Sequence, residues 1–223
     1  MVLPEKVSKI KTFTKNERDL KLKKAVASLK SIDKKTCRLI DFVGECKLKP
    51  IGTPYYVIIK SIISQQLSTQ AASSILKKIN QYFDTENSIP KPEMIRDTSD
   101  KELRSCGLSF SKIETIKRIS NSYSSGKLSD ELLYSMSDRD VVNSLCEYKG
   151  IGPWTSEMVL IFGLDRWDHF SIGDLGLRKG VEKWYGLHRD DKMKIQKFIE
   201  KFSPYRSILS WYLWASFDTE NWE

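Results

Sequence analysis

Two glycines two residues apart, followed at once by proline, make Lys149-Gly150-Ile151-Gly152-Pro153-Trp154-Thr155 the stretch of this chain with the most specific chemistry. The pattern predicts a helix ending near Tyr148, a tight Gly-Ile-Gly turn, and a new helix from Pro153. Glycine admits backbone conformations that other residues resist. Bare backbone also lets a phosphate reach the amides, and the following helix turns its positive end toward that anion. A hairpin of this kind between two helices grips nucleic-acid backbone without reading sequence. An ordinary corner between two helices would use glycines too, but the apolar Ile151, Pro153 and the flanking helices favour the gripping hairpin.

Twenty residues beyond Trp154, Asp174 stands in Phe170-Ser-Ile-Gly-Asp174-Leu-Gly-Leu-Arg178-Lys179-Gly. It precedes an apolar-periodic stretch, so its plainest role is a helix N-cap, whose carboxylate the amides and helix dipole hold ionised. A positioned, ionised carboxylate is also what a reaction that develops positive charge on a sugar requires. Further on, Pro204-Tyr205-Arg206-Ser207 leads into Trp211-Tyr212-Leu213-Trp214. Trp211 and Trp214 share a helix face, either as core or as a surface that stacks a planar cation, worth ~0.5–2 kcal/mol per contact. Earlier, Ser64-Gln65-Gln66-Leu67-Ser68 closes an apolar helix with two amides. They suit a surface helix end, or a side chain that fills the gap left by a displaced base.

These residues need elements to place them, and the elements read as helices throughout. Apolar residues recur at three- and four-residue spacing, without sustained alternation. Helices are expected over Leu20–Leu29, Tyr55–Leu67, Ala71–Phe83, Asp100–Cys106, Lys112–Ser124, Asp130–Met136, Asp138–Tyr148, Pro153–Leu164, Asp174–Trp184, Asp191–Phe202 and Pro204–Ser216. Ser137 should cap the helix that follows it. Ser203 should act likewise, with Pro204 at the first helical position. Gly107, Gly126 and Gly186 fall where helices stop, and Asn87–Pro92 reads as a loop. The fold class is all-α.

Composition narrows the function classes. The 223 residues are 40% hydrophobic and 30% charged, as in a globular chain with a real core. The longest apolar stretch, Met158 to Leu164, is far short of the ~20 residues of a spanning helix, and the start MVLPEKVSKIK is charged where a secretory signal is apolar. Both argue against membrane insertion and secretion. Residues 1–35 hold eleven Lys/Arg against four Asp/Glu, nearly all of the net +8, which suits a solvated basic helix or an arm that meets phosphates. Cys37, Cys46, Cys106 and Cys146 form no CxxC pair and lie outside metal-ligand spacing of His169 or His188, so they read as structural thiols in apolar helical contexts of a reducing compartment.

Taken in order, SQQLS, CGLSFSK, KGIGPWT, FSIGDLGLRKG and PYRS followed by WYLW resemble the helix-hairpin-helix superfamily of DNA base-excision glycosylases, and within it the alkylpurine (3-methyladenine) type. The resemblance covers roughly residues 54–214, most of the chain. It implies two helical subdomains with the helix-hairpin-helix at the cleft between them: residues 55–165, and residues 1–54 with 166–223, the second carrying the catalytic Asp. It makes Asp174 the catalytic aspartate and Lys149, Gly150, Gly152 and Thr155 contacts to the DNA backbone. Gln66 becomes the plug in the vacated base space, with Ser68 facing the minor groove. Trp154 and Trp211 border the base pocket, joined by Tyr56 and Met158. In the family the hairpin carbonyls, here Cys146, Tyr148 and Ile151, can hold a monovalent Na+ or K+; no other cofactor is implied.

Two departures sharpen the expectation. Members that also cut the strand carry a lysine nucleophile where this chain has Trp154, so no Schiff base can form there and the enzyme should be monofunctional. Iron–sulfur members carry four cysteines near the C-terminus, whereas no Cys follows Cys146 here. The partner implied is double-stranded DNA with alkylated bases such as 3-methyladenine and 7-methylguanine. The protein should act as a monomer, in the nucleus of a eukaryote or the cytoplasm of a bacterium or archaeon. The competing reading is a helix-hairpin-helix protein that binds damaged DNA without cutting the base; a glycosylase for mismatched or oxidised bases fits Trp154 less well.

Overall fold

The computed structural model describes residues 15–85 and 88–217. The first fourteen residues of the basic segment, and Asn87 of the expected loop, lie outside them. Among the described residues there is no strand. The α-helices are α1 (Lys15–Ile32), α2 (Lys34–Val43), α3 (Pro54–Ser64), α4 (Thr69–Phe83), α5 (Pro92–Asp97), α6 (Asp100–Ser105), α7 (Phe110–Ser124), α8 (Asp130–Ser135), α9 (Asp138–Cys146), α10 (Pro153–Met158), α11 (Leu175–Tyr185), α12 (Lys192–Ile199) and α13 (Arg206–Ala215). A π-helical turn, Val159–Gly163, extends α10, and a 3-10 turn, Glu200–Phe202, extends α12. None of the described helices is long and apolar enough to cross a membrane.

The chain divides into two compact units, Pro50–Asp165 and the described parts of 1–49 with 166–223. The first is built on α3, whose sequence PYYVIIKSIIS is apolar on nearly every side; such a helix must be wrapped by others. Tyr55, Val57, Ile58, Ile59, Ile62 and Ile63 are all buried, each worth about 1.5–3 kcal/mol where an aliphatic side chain leaves water completely. Helices α4, α7, α8 and α10 and the π turn pack around it. The Thr53 hydroxyl caps its start by accepting the Tyr56 N–H at 3.3 Å, with Pro54 at the first helical position. In the second unit α13 is the buried helix: Ile208, Leu209, Trp211, Tyr212 and Leu213 are all inside, against α1, α2 and α11.

Several expectations need correction. Helix α2 was not anticipated, although Asp33 caps it by accepting the Thr36 N–H at 2.7 Å and Leu39 and Ile40 fill its buried face. The short α5 starts at Pro92, where a loop was expected to end. The helix from Pro153 changes winding at Val159, where the Leu164 N–H bonds the carbonyl five residues back at 2.9 Å. Gly163 in that turn lies on Pro54, and a Cβ there would come within 3.1 Å of the Pro54 Cα. Pro204 is not the first residue of α13, which begins at Arg206 behind Tyr205 with no capping side chain; the Ser203 hydroxyl donates to Asp168 at 2.7 Å. All four cysteines are free thiols, but Cys46 follows α2 and Cys106 follows α6 rather than sitting in a helix, and burial pushes the Cys46 thiol up to about 11.

Candidate functional site

The glycine hairpin lies between α9 and α10 in the unit Pro50–Asp165. Ser137 caps α9, accepting the Asp140 N–H at 3.2 Å. At the turn the Ile151 N–H bonds the Tyr148 carbonyl at 2.9 Å, and the Ile151 side chain is buried while Lys149 and Gly150 are exposed. Gly150 takes φ +94°, and a Cβ on it would come within 2.1 Å of the Thr115 hydroxyl on α7. The turn therefore rests directly on α7, and only glycine satisfies both the dihedral and the contact. Gly152 is different. It is the N-cap position of α10 in extended backbone, and a Cβ there would meet nothing within 4 Å. Nothing in the fold around it requires a glycine there.

Beside the hairpin runs the turn that ends α3. Gln66 is exposed and takes φ +56°, a left-handed conformation that costs a non-glycine residue roughly 1–2 kcal/mol. Its neighbour Gln65 points inward, and its amide donates to the Gly150 carbonyl at 3.0 Å and the Thr155 hydroxyl at 2.9 Å. Lys112 of α7 donates to the carbonyls of Ile63 at 2.7 Å and Gln65 at 2.9 Å, a cation at the negative end of α3. Burial pushes the Lys112 ammonium pKa down from its usual value. Ser68 is exposed and caps α4, accepting the Ala71 N–H at 3.2 Å. Thr155, expected among the DNA contacts, is 1% exposed and its hydroxyl accepts from Gln65; its side chain braces the Gln66 turn instead.

Trp154 and Met158 lie one turn apart on α10, the first half-buried and the second buried. Tyr56 is half-buried and lines a cavity of about 640 Å³ with Leu76, Lys77, Asn80 and Ile89, which neither Trp154 nor Met158 lines. Cys146 is the last residue of α9, and Tyr148 and Ile151 lie in the turn after it, where the Tyr148 carbonyl accepts the Ile151 N–H. Among the described residues no cluster of His, Cys, Asp or Glu could hold a metal ion.

In the other unit Asp174 is the N-cap of α11. Its Oδ1 accepts the Leu177 N–H at 2.8 Å and the Trp214 indole N–H at 3.1 Å. Cap and candidate catalyst are thus the same residue, and both bonds fall on one oxygen, which sets the plane of the carboxylate. Gly176 makes room for this: a Cβ there would come within 3.1 Å of Asp174 Oδ1 and 3.4 Å of the indole nitrogen. Trp211, expected at the base pocket, is 4% exposed with its ring edge-on to Tyr212 at 5.1 Å. Trp214, not singled out for the pocket, is the tryptophan that reaches Asp174.

The glycine hairpin and the Asp174 cap both fall within a stretch that a known protein family shares. The family model for HhH-GPD superfamily base excision DNA repair proteins matches residues 59–204. The chain belongs to this family. Among its relatives, "DNA-3-methyladenine glycosylase 1" of Schizosaccharomyces pombe is 34% identical over 200 residues, covering 87% of each chain. The "Alkylbase DNA glycosidase-like protein mag2" of the same organism is 33% identical, covering 88% of this chain and 94% of its own. In three dimensions the chain is similar to the S. pombe 3-methyladenine DNA glycosylase Mag1 in complex with abasic DNA, with a TM-score of 0.79 at 34% identity over 86% of this chain and 95% of that one.

In this HhH-GPD protein the PYRS motif has a mechanical part. Arg206 grips the Asp168 carboxylate with two bonds, Nε to Oδ1 at 2.7 Å and Nη2 to Oδ2 at 3.0 Å. The Ser207 N–H bonds the Trp167 carbonyl at 2.9 Å, and its hydroxyl accepts the His169 N–H at 2.9 Å. The start of α13 thereby latches residues 166–169, the chain that leads to Asp174. Burial raises the Asp168 pKa, but the bonds from Arg206 and Ser203 outweigh it and hold the carboxyl below its usual value. Such a group stabilises the fold above its unfolded pKa of about 3.9, and that stabilisation is lost as pH falls through the lower folded value. Asp168→Asn should therefore cost about 1–3 kcal/mol at pH 7 and progressively less below about pH 4. Urea unfolding of both proteins across pH 3–7 measures this, and a cost that grows toward acid would contradict the latch.

Proposed function

We propose that this HhH-GPD protein is a monofunctional DNA glycosylase that flips alkylated purines such as 3-methyladenine and 7-methylguanine out of the duplex and hydrolyses their N-glycosidic bond, opening base excision repair. The observation that carries the reading is the Asp174 carboxylate, held on one oxygen by the α11 cap and Trp214 in a chain whose relatives are named 3-methyladenine glycosylases.

The chemistry follows from the leaving group. A purine alkylated at N3 or N7 is cationic, so its bond to deoxyribose is weakened and departure needs no general acid. Extruding the nucleotide costs a few kcal/mol. The hairpin amides and the start of α10 hold the backbone, Gln66 enters the space left behind, and Ser68 faces the minor groove. Indole faces such as that of Trp154 favour a cationic base over a neutral one. As the bond breaks, positive charge gathers on the sugar; Asp174 stabilises it and orients or deprotonates the attacking water. A Na+ or K+ held by the Cys146, Tyr148 and Ile151 carbonyls would add positive charge where a phosphate seats. The protein acts as a monomer and works where the genome lies, in the nucleus of a eukaryote or the cytoplasm of a bacterium or archaeon.

Trp154 supplies no amine, so the product is an abasic site in an intact strand. A duplex oligonucleotide carrying one 7-methylguanine tests this. Incubation should create a site that breaks only on hot alkali, and borohydride should trap no protein–DNA adduct. Breaks without alkali, or a trapped adduct, would make the enzyme a lyase. Tight binding with no alkali-labile site would favour the non-catalytic binder.

A further inference from the structure

Helix α7 carries two side chains one turn apart, Lys112 and Thr115, that reach two different loops. Lys112 holds the end of α3 through the carbonyls of Ile63 and Gln65. Thr115, buried, lies 3.2 Å from the Lys149 carbonyl and directly beneath Gly150. Gln65 closes the triangle by bonding the Gly150 carbonyl and Thr155. Gln66 sits between these anchors in a left-handed conformation that the chain would not choose by itself. A strained residue of this kind persists only where its surroundings over-determine it. Here the anchors immediately before Gln66 are the Lys112 bonds and the Gln65 amide.

We infer that Lys112 is a positioning residue for Gln66, fixing the α3 turn on the same helix that seats the glycine hairpin, so that the plug enters the duplex in register with the gripped backbone. The inference rests on the proposed reading of Gln66 as the plug. Lys112 itself touches no DNA in this scheme; its ammonium is turned to two carbonyls of its own chain. Without it the turn keeps its sequence but loses two charge-assisted bonds, and Gln66 is free to relax to a right-handed conformation that aims its amide elsewhere.

A double-mutant cycle tests the inference under single-turnover release of 7-methylguanine from duplex DNA. Lys112→Met should slow release at least about tenfold, the size expected for a single lost charge-assisted bond. Lys112→Arg, which keeps two donors and the charge, should recover most of the rate. Lys112→Met added to Gln66→Ala should slow release no further than Gln66→Ala alone, because the lysine acts only through that side chain. Affinity for undamaged duplex, which the hairpin supplies, should stay within about twofold. Should Lys112→Met fail to fold, Lys112→Gln, which keeps one donor, enters the same cycle. Losses that multiply in the double variant, a rate unchanged by Lys112→Met, or an equal loss of affinity for undamaged DNA would each overturn the inference. A Gln66→Ala variant with unchanged rate would instead overturn the plug reading beneath it.

Discussion

Asp174→Asn should slow release of an alkylpurine by about a thousandfold, or roughly 4 kcal/mol of transition-state stabilisation, while leaving fold and DNA affinity nearly intact. The fold survives because asparagine caps a helix as well as aspartate does, and its amide oxygen can accept from both Leu177 and Trp214, the bonds that Asp174 Oδ1 accepts now. What the variant lacks is the negative charge that the proposed mechanism sets against the sugar. Single-turnover kinetics, a thermal melt and a binding titration on the same preparation separate the three quantities. Near-normal release would remove Asp174 from the mechanism, and a collapsed melt would reduce it to a cap.

The second large effect separates two glycines that look alike in the sequence. Gly150→Ala must place a side chain at φ +94° and within 2.1 Å of the Thr115 hydroxyl, so it should cost about 2–4 kcal/mol of stability. It should also lower affinity at least about tenfold on damaged and undamaged DNA alike, since the hairpin grips backbone and not sequence. Thr115→Ala in the same chain should return part of the stability, because it removes the clashing hydroxyl but not the strained dihedral. Gly152→Ala meets open space and should change stability by less than about 0.5 kcal/mol, yet still weaken binding by crowding the approaching phosphate. Urea unfolding and fluorescence anisotropy measure both. Unchanged affinity in Gly152→Ala would remove that glycine from the phosphate seat.

These contrasts mark where the sequence was legible. The caps at Ser137 and Asp174 were readable because capping is a local bond between residues three apart, and the structure makes both. The hairpin was readable for the same reason. Helix α5 gives no local signal because its N-cap position is Lys91, without a capping side chain, whereas the equally short α6 and α8 start behind Ser99 and Ser129; the π turn gives none because the run from Val159 to Gly163 is apolar throughout. Helix α2 carries the same local signals: Thr36, Leu39, Ile40 and Val43 keep its spacing behind the Asp33 cap.

Side-chain partners distant in the chain were not legible. Spacing put Trp211 and Trp214 on one face but could not say which meets Asp174; that depends on Gly176 admitting the indole from forty residues away. The resemblance puts Thr155 among the DNA contacts, but only the fold shows that Gln65, ninety residues earlier, donates to its hydroxyl. Lys112 closes the CGLSFSK motif, but neither it nor Thr115 shows in the sequence which loops it holds, since their bonds run across folded distance.

The most direct measurement is chromatography of the bases released from methylated DNA, with unmodified DNA and the Asp174→Asn protein run in parallel. The wild-type chain should liberate free 3-methyladenine and 7-methylguanine and leave normal bases in place, and the variant should liberate almost none. If the wild-type chain releases no base at all, or if variant and wild type release equal amounts, a carboxylate-driven glycosylase is the wrong account of this protein.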